Sequence, residues 1–324
     1  MSKVKTSVSV VVPCFNAEQY VADAVASALA QRHPIREVVC VDDGSTDGTL
    51  SLLRQLEVSS GGAVIVLSGP NRGPAAARNI GLASITGDYV QFLDADDLLN
   101  PEKVARQVSL IEAKAEAPAM VAGAYQRSFE LYDGQREEHG VEVDADPWVG
   151  LVTGKLGITS ANLYQTAAVR RAGGWDDSLR TSEDPDLAFR LLQDGGNVIH
   201  DPVPATTKRE RRGSQWRADP PASLRGWLIL RAQILSHMRG HGLMTPERAG
   251  PVEAAVFRMI RSMYTHDREF AEEAFAVMIS GSFRPTHVDS GRVYAALYRA
   301  GGFRWAQRVY PHWLRAQRWL RPHR

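Results

Sequence analysis

The sequence predicts an α/β fold, a mostly parallel sheet flanked by helices and followed by a helical C-terminal region. Three observations carry that expectation. Over the first ~100 residues short β-branched runs alternate with stretches of helical period, and Gly and Pro punctuate the joints between them. Beyond about residue 220 the strand pattern gives way to long helical texture. With 44% hydrophobic and 23% charged residues among 324, the chain can bury one sizeable core and an appended region, and it lacks the composition of a disordered protein.

In chain order, Ser7–Pro13 and Glu37–Val41 read as buried strands, with a helix between them marked by Tyr20, Ala24, Val25, Ala28 and Leu29. Ala63–Leu67 and Tyr89–Leu93 repeat the strand signal around a helix opened by Gly73-Pro74, and another helix follows Asn100-Pro101. From Ala119 the pattern becomes hairpin-rich, with strands expected at Met120–Ala122, Ser128–Tyr132 and Ile158–Tyr164 and a turn at Asp133-Gly134. A helix is expected from Asp186 to Gln193, and Asp201–Pro221 reads as a loop ending in a boundary at Pro220-Pro221. Leu224–Met238, Pro251–Met263, Asp267–Ile279 and Arg292–Arg318 read as helices. The expected organisation is a first domain over 1–215 and a helical, basic region over 216–324.

The charge is divided unevenly. Residues 1–200 hold 17 basic against 27 acidic side chains, whereas 201–324 hold 21 against 10, and 20 of those 21 cations are Arg. An acidic catalytic half and a basic tail suited to an anionic partner follow. Cys14 and Cys40, the only cysteines, lie in apolar runs and have no metal-binding spacing, which suits a reducing, cytoplasmic setting. The N-terminal stretch lacks a secretory h-region, and no segment approaches the ~20 apolar residues of a spanning helix, so membrane contact is expected to be peripheral, on the inner face.

Ligands of a parallel sheet bind at the carboxyl ends of its strands. There the chain carries Pro13-Cys14-Phe15-Asn16, Asp42-Asp43-Gly44-Ser45-Thr46-Asp47 and Asp94-Ala95-Asp96-Asp97. Carboxylates crowded at one edge repel unless a cation joins them. Asp94 and Asp96 have the chemistry of oxygen ligands for Mg²⁺ or Mn²⁺; the other reading makes Asp96 or Asp97 the cap of the next helix.

Taken in order, Ser7–Asn16 (SVSVVVPCFN), Val38–Asp47 (VVCVDDGSTD), Asn71–Gly81 (NRGPAAARNIG) with Gly87–Asp97 (GDYVQFLDADD), and Gly173–Leu191 (GGWDDSLRTSEDPDLAFRL) resemble the blocks of the family-2 glycosyltransferases. The resemblance covers about residues 5–215. It implies the GT-A fold, with a nucleotide-sugar half over 1–100 and an acceptor half over 101–215. It implies an inverting transferase using a nucleotide diphosphate donor, UDP by preference, and a glycan or lipid-linked acceptor. Pro13, Phe15, Asn16 and Asp43 would hold the base, an aromatic ring stacking on it and a carboxylate accepting its N–H. A core position is the other reading of Phe15, and turn or cap roles suit Asp42 and Asp47. Arg78 would reach the base or diphosphate, or be an ordinary surface cation. Asp94 would bind ribose beside Ala95, and Asp96, with Asp94, would hold the metal. Asp184 would be the general base, with a helix N-cap as the alternative and Pro185 as the first helical residue.

One departure matters. Where family members often carry Arg-x-His-x-x-Ser, this chain has Arg209-Glu210-Arg211-Arg212-Gly213-Ser214, so Arg stands in place of the His. Arg209 and Arg211 would bind phosphate, and Arg211 cannot ligate a metal. The rival reading is a catalytically silent nucleotide-sugar-binding or scaffold protein of the same fold. Nucleic acid is not an expected partner. In the tail, Trp305, Arg308, Tyr310, Trp313, Arg315, Arg318, Trp319, Arg321 and Arg324 do not sort cleanly onto two helix faces, and peripheral membrane contact stands beside packing or homo-oligomer formation.

Overall fold

The computed structural model describes residues 6–130, 136–179, 181–210 and 220–320, with backbone alone at 130, 136 and 315–320. The chain divides into two compact units, Met1–Ser214 and Gln215–Arg324. The first unit runs β1 (Val8–Cys14), α1 (Val21–Leu29), β2 (Ile35–Asp43), α2 (Thr49–Ser59), β3 (Val64–Gly69), α3 (Pro74–Ser84) and β4 (Tyr89–Phe92). It continues with β5 (Leu98–Leu99), α4 (Lys103–Glu112), β6 (Met120–Gly123), β7 (Tyr125–Glu130), β8 (Arg136–Val141), α5 (Pro147–Thr153), β9 (Leu163–Gln165), α6 (Thr166–Arg171), α7 (Glu183–Gln193), β10 (Val198–Asp201) and β11 (Thr206–Glu210).

Seven strands form one sheet in the order β10-β6-β9-β4-β1-β2-β3, in which only β9 runs against its neighbours. β1 is at its centre, and Val8, Val10, Val11 and Val12 are buried on both faces, as a central parallel strand requires. On one face α1 lays Val21, Ala24, Val25 and Ala28 against Val10, Val12 and Val38. On the other, α4 packs Val104, Val108 and Ile111 against Val8, Tyr89, Val121 and Leu163. Each such side chain, fully buried, contributes roughly 1.5–3 kcal/mol. α3 approaches β1 so closely that a Cβ at Gly81 would lie 2.3 Å from Val11 Cγ1, which leaves room only for glycine. The chain moves outward from β1 to β3 and then returns to place β4 on the other side of β1. The crevice at this reversal is where α/β folds bind ligands.

The mostly parallel sheet with flanking helices and a helical C-terminal region is as expected, with local corrections. Of the expected strand Ile158–Tyr164 only Leu163 and Tyr164 pair, in a strand that runs on to Gln165, because Ala161 and Asn162 N–H groups turn back onto the Ile158 carbonyl. Asp201–Pro221 is not all loop: β11 joins a second sheet, β5-β11-β7-β8, pairing parallel with β7 and antiparallel with β5. Helix α7 begins at Glu183, three residues before the expected Asp186. The expected turn at Asp133-Gly134 and the end of the strand at Tyr132 lie outside the described residues.

The second unit consists of α8 (Pro220–Gly240), α9 (Pro246–Met263), α10 (Arg268–Met278), α11 (His287–Ser290) and α12 (Arg292–Leu320). Its core gathers Leu228, Ile234, Leu235, Val256, Phe257, Ile260, Tyr294 and Phe303, with Phe257 at the centre of an aromatic cluster. Among the described residues no helix is long and apolar enough to cross a membrane. Cys14 and Cys40 are free and buried.

Candidate active site

The turns after β1 and β2 are stitched together. Asn16, in the left-handed region at φ 46°, donates its N–H to Ser45 Oγ at 3.0 Å and accepts from Thr46 N–H at 2.8 Å through Oδ1. Gly44 at φ 72° lets the second turn pass over Asn71, whose nitrogen would be 2.7 Å from any Cβ there. Phe15 beside this turn is 47% exposed, so it is no core side chain but an aromatic face open to a ligand. Pro13 is half-buried at the end of β1. Asp43 accepts from the backbone N–H groups of Arg72 and Gly73, both at 2.8 Å, and so fixes the entry to α3. Each oxygen retains a lone pair for a base N–H. Burial works against the charge of Asp47, but the bonds it accepts from Thr49 N–H and Oγ1 at the start of α2, with that from Glu18 N–H, together outweigh burial and hold its carboxyl below the usual range.

Arg78 lies on α3 and is only 5% exposed, so the surface-cation reading fails. Its Nη2 donates to Asp94 Oδ1 at 2.8 Å, and its guanidinium carbon lies 4.5 Å from the centre of the Trp175 ring. Burial works against its charge, but Asp94, Asp184 and Glu183 outweigh burial and hold it firmly cationic. Nε and Nη1 find no partner among the described residues. The next residue, Asn79, grips the Trp175 backbone at both its N–H and its carbonyl, each at 2.8 Å. Trp175 packs edge-on against Phe92 and Tyr164. Burial, with the charge of Asp184 adding to it, pushes the Tyr164 hydroxyl well above its ordinary range.

The end of β4 concentrates negative charge. Asp94 N–H donates to Ser160 Oγ at 3.1 Å, Ala95 is buried, and the Asp97 N–H closes a turn onto the Asp94 carbonyl. Burial pushes the Asp97 carboxyl well up, and the charges of Asp94 and Asp96 push it further, opposed by Ser160 and Lys208. Neither Asp96 nor Asp97 caps a helix, since α4 starts only at Lys103 with Glu102 as its N-cap. On the facing side Ser182, at φ 72°, is the N-cap of α7, so Asp184 is its second residue and Pro185 its third. The N-cap reading of Asp184 and the first-position reading of Pro185 are thereby corrected; a proline N–H is not needed anywhere in a first turn. Glu183 beside it is pushed up by burial and by Asp184.

The sequence profile of Glycosyl transferase family 2 matches residues 9–171, just over half of the chain. The chain belongs to glycosyl transferase family 2. It is 28% identical over 195 residues to an uncharacterised glycosyltransferase of Rickettsia typhi, covering 57% of this chain and 58% of the relative. It is 41% identical over 111 residues to TuaG of Bacillus subtilis, a glycosyltransferase whose provisional name assigns it to teichuronic acid biosynthesis, covering 34% and 44%. The chain spans about half the length of the curated relatives it matches. Among solved structures it is similar to S. aureus TarS in complex with UDP-GlcNAc, at TM-score 0.60 and 17% identity over 96% of this chain and 92% of that one. The mannosyltransferase PcManGT of Pyrobaculum calidifontis, in complex with GDP-Man and Mn2+, aligns at TM-score 0.53 and 20% identity over 93% and 80%. These two likenesses support the GT-A-like fold.

Within this family-2 cleft the expected residues meet unequally. Arg78 feels the charges of both Asp94 and Asp184, whereas Arg209 is turned onto the protein. Its Nη1 pairs with Asp23 at 3.0 Å, Nη2 donates to the Tyr20 carbonyl at 3.3 Å, and Nε donates to the Asp96 carbonyl. With every guanidinium nitrogen engaged, Arg209 braces the Asp96 loop rather than offering a fork to phosphate. Arg211 lies outside the described residues. Sequence reasoning missed Trp175, Tyr164, Ser160, Glu183 and Lys208, and gave Asp97 no role beyond the strand-end carboxylate cluster and an alternative helix cap. Lys208 on β11 is kept cationic by Asp97, Asp94 and Glu210 in spite of its burial. Trp175 and Glu183 had a signal in their place inside the last family block, as Asp97 had in the block Gly87–Asp97.

A divalent cation fits these residues in a limited way. Among the described residues no three His, Cys, Asp or Glu side chains converge as a ready cage. Yet Asp94, Asp96, Asp97, Glu183 and Asp184 outnumber Arg78 and Lys208 around the cleft, an excess of hard oxygen donors. Asp94 remains 38% exposed although Arg78 holds one of its oxygens. That suits an ion taking one or two protein carboxylates and completing its shell from phosphate and water.

Proposed function

We propose that this chain is an inverting glycosyltransferase that moves a sugar from a nucleotide diphosphate donor, in our reading a UDP-sugar, to a hydroxyl of a glycan or lipid-linked acceptor. One observation carries the reading: the buried cation Arg78 is shared by Asp94, at a donor-side strand end, and by Asp184 and Glu183, at the start of an acceptor-side helix. The base would stack on Phe15 and be held by Asp43, with Pro13 and Asn16 shaping the turn, while the ribose would meet Asp94 and Ala95. Asp184 takes the proton of the acceptor hydroxyl as its oxygen attacks the anomeric carbon from the side opposite the diphosphate. The new C–O bond forms as the bond to the diphosphate oxygen breaks, and the nucleotide diphosphate leaves with the electron pair. Asp96 with Asp94 would hold Mn²⁺ or Mg²⁺, which when bound neutralises charge on the departing diphosphate as a Lewis acid. The UDP-GlcNAc bound to TarS and the GDP-Man and Mn2+ bound to PcManGT support a nucleotide-sugar donor and a divalent ion. Residues 1–100 would form the nucleotide-sugar half and 101–215 the acceptor half.

The test is nucleotide release from a panel of UDP- and GDP-sugars with Mn²⁺, comparing the native chain with Asp184→Asn. The variant should lose about 10²–10⁴-fold in kcat while its donor affinity holds. Normal turnover in Asp184→Asn removes the base assignment, and a native chain that binds donors but turns none over is a silent binding protein.

A further inference from the structure

The last helix presents a surface that sugar transfer leaves unused. α12 is broken at Gly302, at φ 74° and ψ −173°, and the break resets the helical phase of everything after it. Beyond it Phe303 and Ala306 are buried, and Trp313 stacks on Tyr310, which packs edge-on against Tyr294. Most of the apolar side is therefore taken up by its own unit, with Leu314 left exposed further along. The opposite side exposes Arg304, Trp305, Arg308 and His312, whose spacing at 3.6 residues per turn puts them on one face. Trp305 is 42% exposed. The same spacing carried along the sequence meets Arg315, Arg318 and Trp319. Trp313 is what blurred this pattern in the sequence, because it belongs to the inner side.

The face is one-signed. Eight arginines follow Asp289 and no acidic residue does. Arg304 is shared with Glu272 at 2.9 Å, and Arg308 has no acidic partner among the described residues. Such a surface repels itself in water and is relieved by a polyanion. A polyanionic chain would use the guanidinium groups alone, whereas an exposed indole set among them suits the headgroup layer of a bilayer, with ring at the interface and cations on lipid phosphates. We propose that this face of α12 binds the surface of an anionic lipid membrane. Because most of the apolar side is occupied, binding is mainly electrostatic with an indole anchor, reversible and sensitive to salt.

The experiment floats the full chain with vesicles of phosphatidylcholine alone or mixed with phosphatidylglycerol, at low and high salt. The chain should float only with the mixed vesicles, and high salt should weaken partition about tenfold or more. Arg308→Gln combined with Arg315→Gln should weaken it similarly while melting temperature and nucleotide release in solution stay native. Trp305→Phe should lose part of the quenching that brominated lipids cause in the native chain. Equal flotation with neutral vesicles, or a double variant that floats like the native chain, overturns the proposal. So does tight binding to polyuridylate or heparin with no vesicle association.

Discussion

Replacing Arg78 by Gln tests whether one buried cation joins the two sides of the cleft. The guanidinium and the Asp94 carboxylate meet at 2.8 Å, with charge centres about 4 Å apart, which at an effective dielectric of ~20 is an attraction of roughly 4 kcal/mol. Two effects reduce the loss on substitution. Asp94 is 38% exposed, so water takes over part of its solvation, and Arg78 gives back the cost of its own burial. Loss of the stack on Trp175 adds about 1 kcal/mol. A net destabilisation of roughly 2 kcal/mol follows, a fall of about 4–8 °C in melting temperature for a unit of this size. The released carboxylates Asp94, Glu183 and Asp184 then repel one another, so kcat/KM should fall about 10²-fold. Arg78→Lys, which keeps the charge and loses the planar fork, should recover part of both. Thermal melts and initial rates on folded protein, corrected for active fraction, measure the two effects. A Gln variant with native melting temperature refutes the ion-pair account. One that is destabilised but turns over natively per folded molecule reduces Arg78 to a packing residue.

Other substitutions probe the remaining parts. The raised Asp97 carboxyl costs stability once ionised; its contribution is full at pH below the unfolded value and is lost as pH rises through the folded one. Asp97→Asn, which keeps an acceptor for the Arg209 N–H, should therefore melt higher than the native chain at neutral pH, a gain that vanishes in acid; a gain independent of pH would contradict this. Phe15→Ala should weaken UDP binding about 2- to 10-fold by calorimetry, the value of one stacked ring, and an unchanged Kd would move the base elsewhere. Asp96→Ala should abolish both turnover and the stabilisation of the donor complex by Mn²⁺ in thermal shift, and a persisting Mn²⁺ effect would reassign the ion.

The parts legible in sequence were those with local cause. Valine runs, Gly-Pro helix openings and the clusters that end β1, β2 and β4 depend on neighbours within a few residues, and the topology then brings those clusters together. What was hidden depends on distant partners. Arg78 in its Ala-rich helix leaves both a ligand role and a surface position open until Asp94 and Trp175 come over it from 16 and 97 residues away. Arg209 reads as a phosphate ligand until Asp23 and Tyr20 claim it across the fold. β11, with Thr206, Thr207, Lys208, Arg209 and Glu210, carries no apolar alternation, because its pairing is supplied by β5 and β7 rather than by a core face. The start of α7 was misplaced because proline normally marks a first position, and three acids at the positive helix end tolerate it two residues later.

Helix α3 bears on how such enzymes could be recombined. It belongs in sequence to the proposed nucleotide-sugar half, but Asn79 fastens it to Trp175, and Arg170 donates from α6 to the carbonyls of Leu82 and Ile85 at 2.8 Å each. A chimera that grafts another family member's acceptor portion after residue 100 would cut none of the chain of α3 yet would orphan both ends of this clasp. Exchange with the crossover placed before Pro74, so that α3 and its partners travel together, would keep donor turns and acceptor elements each with the side chains that seat them.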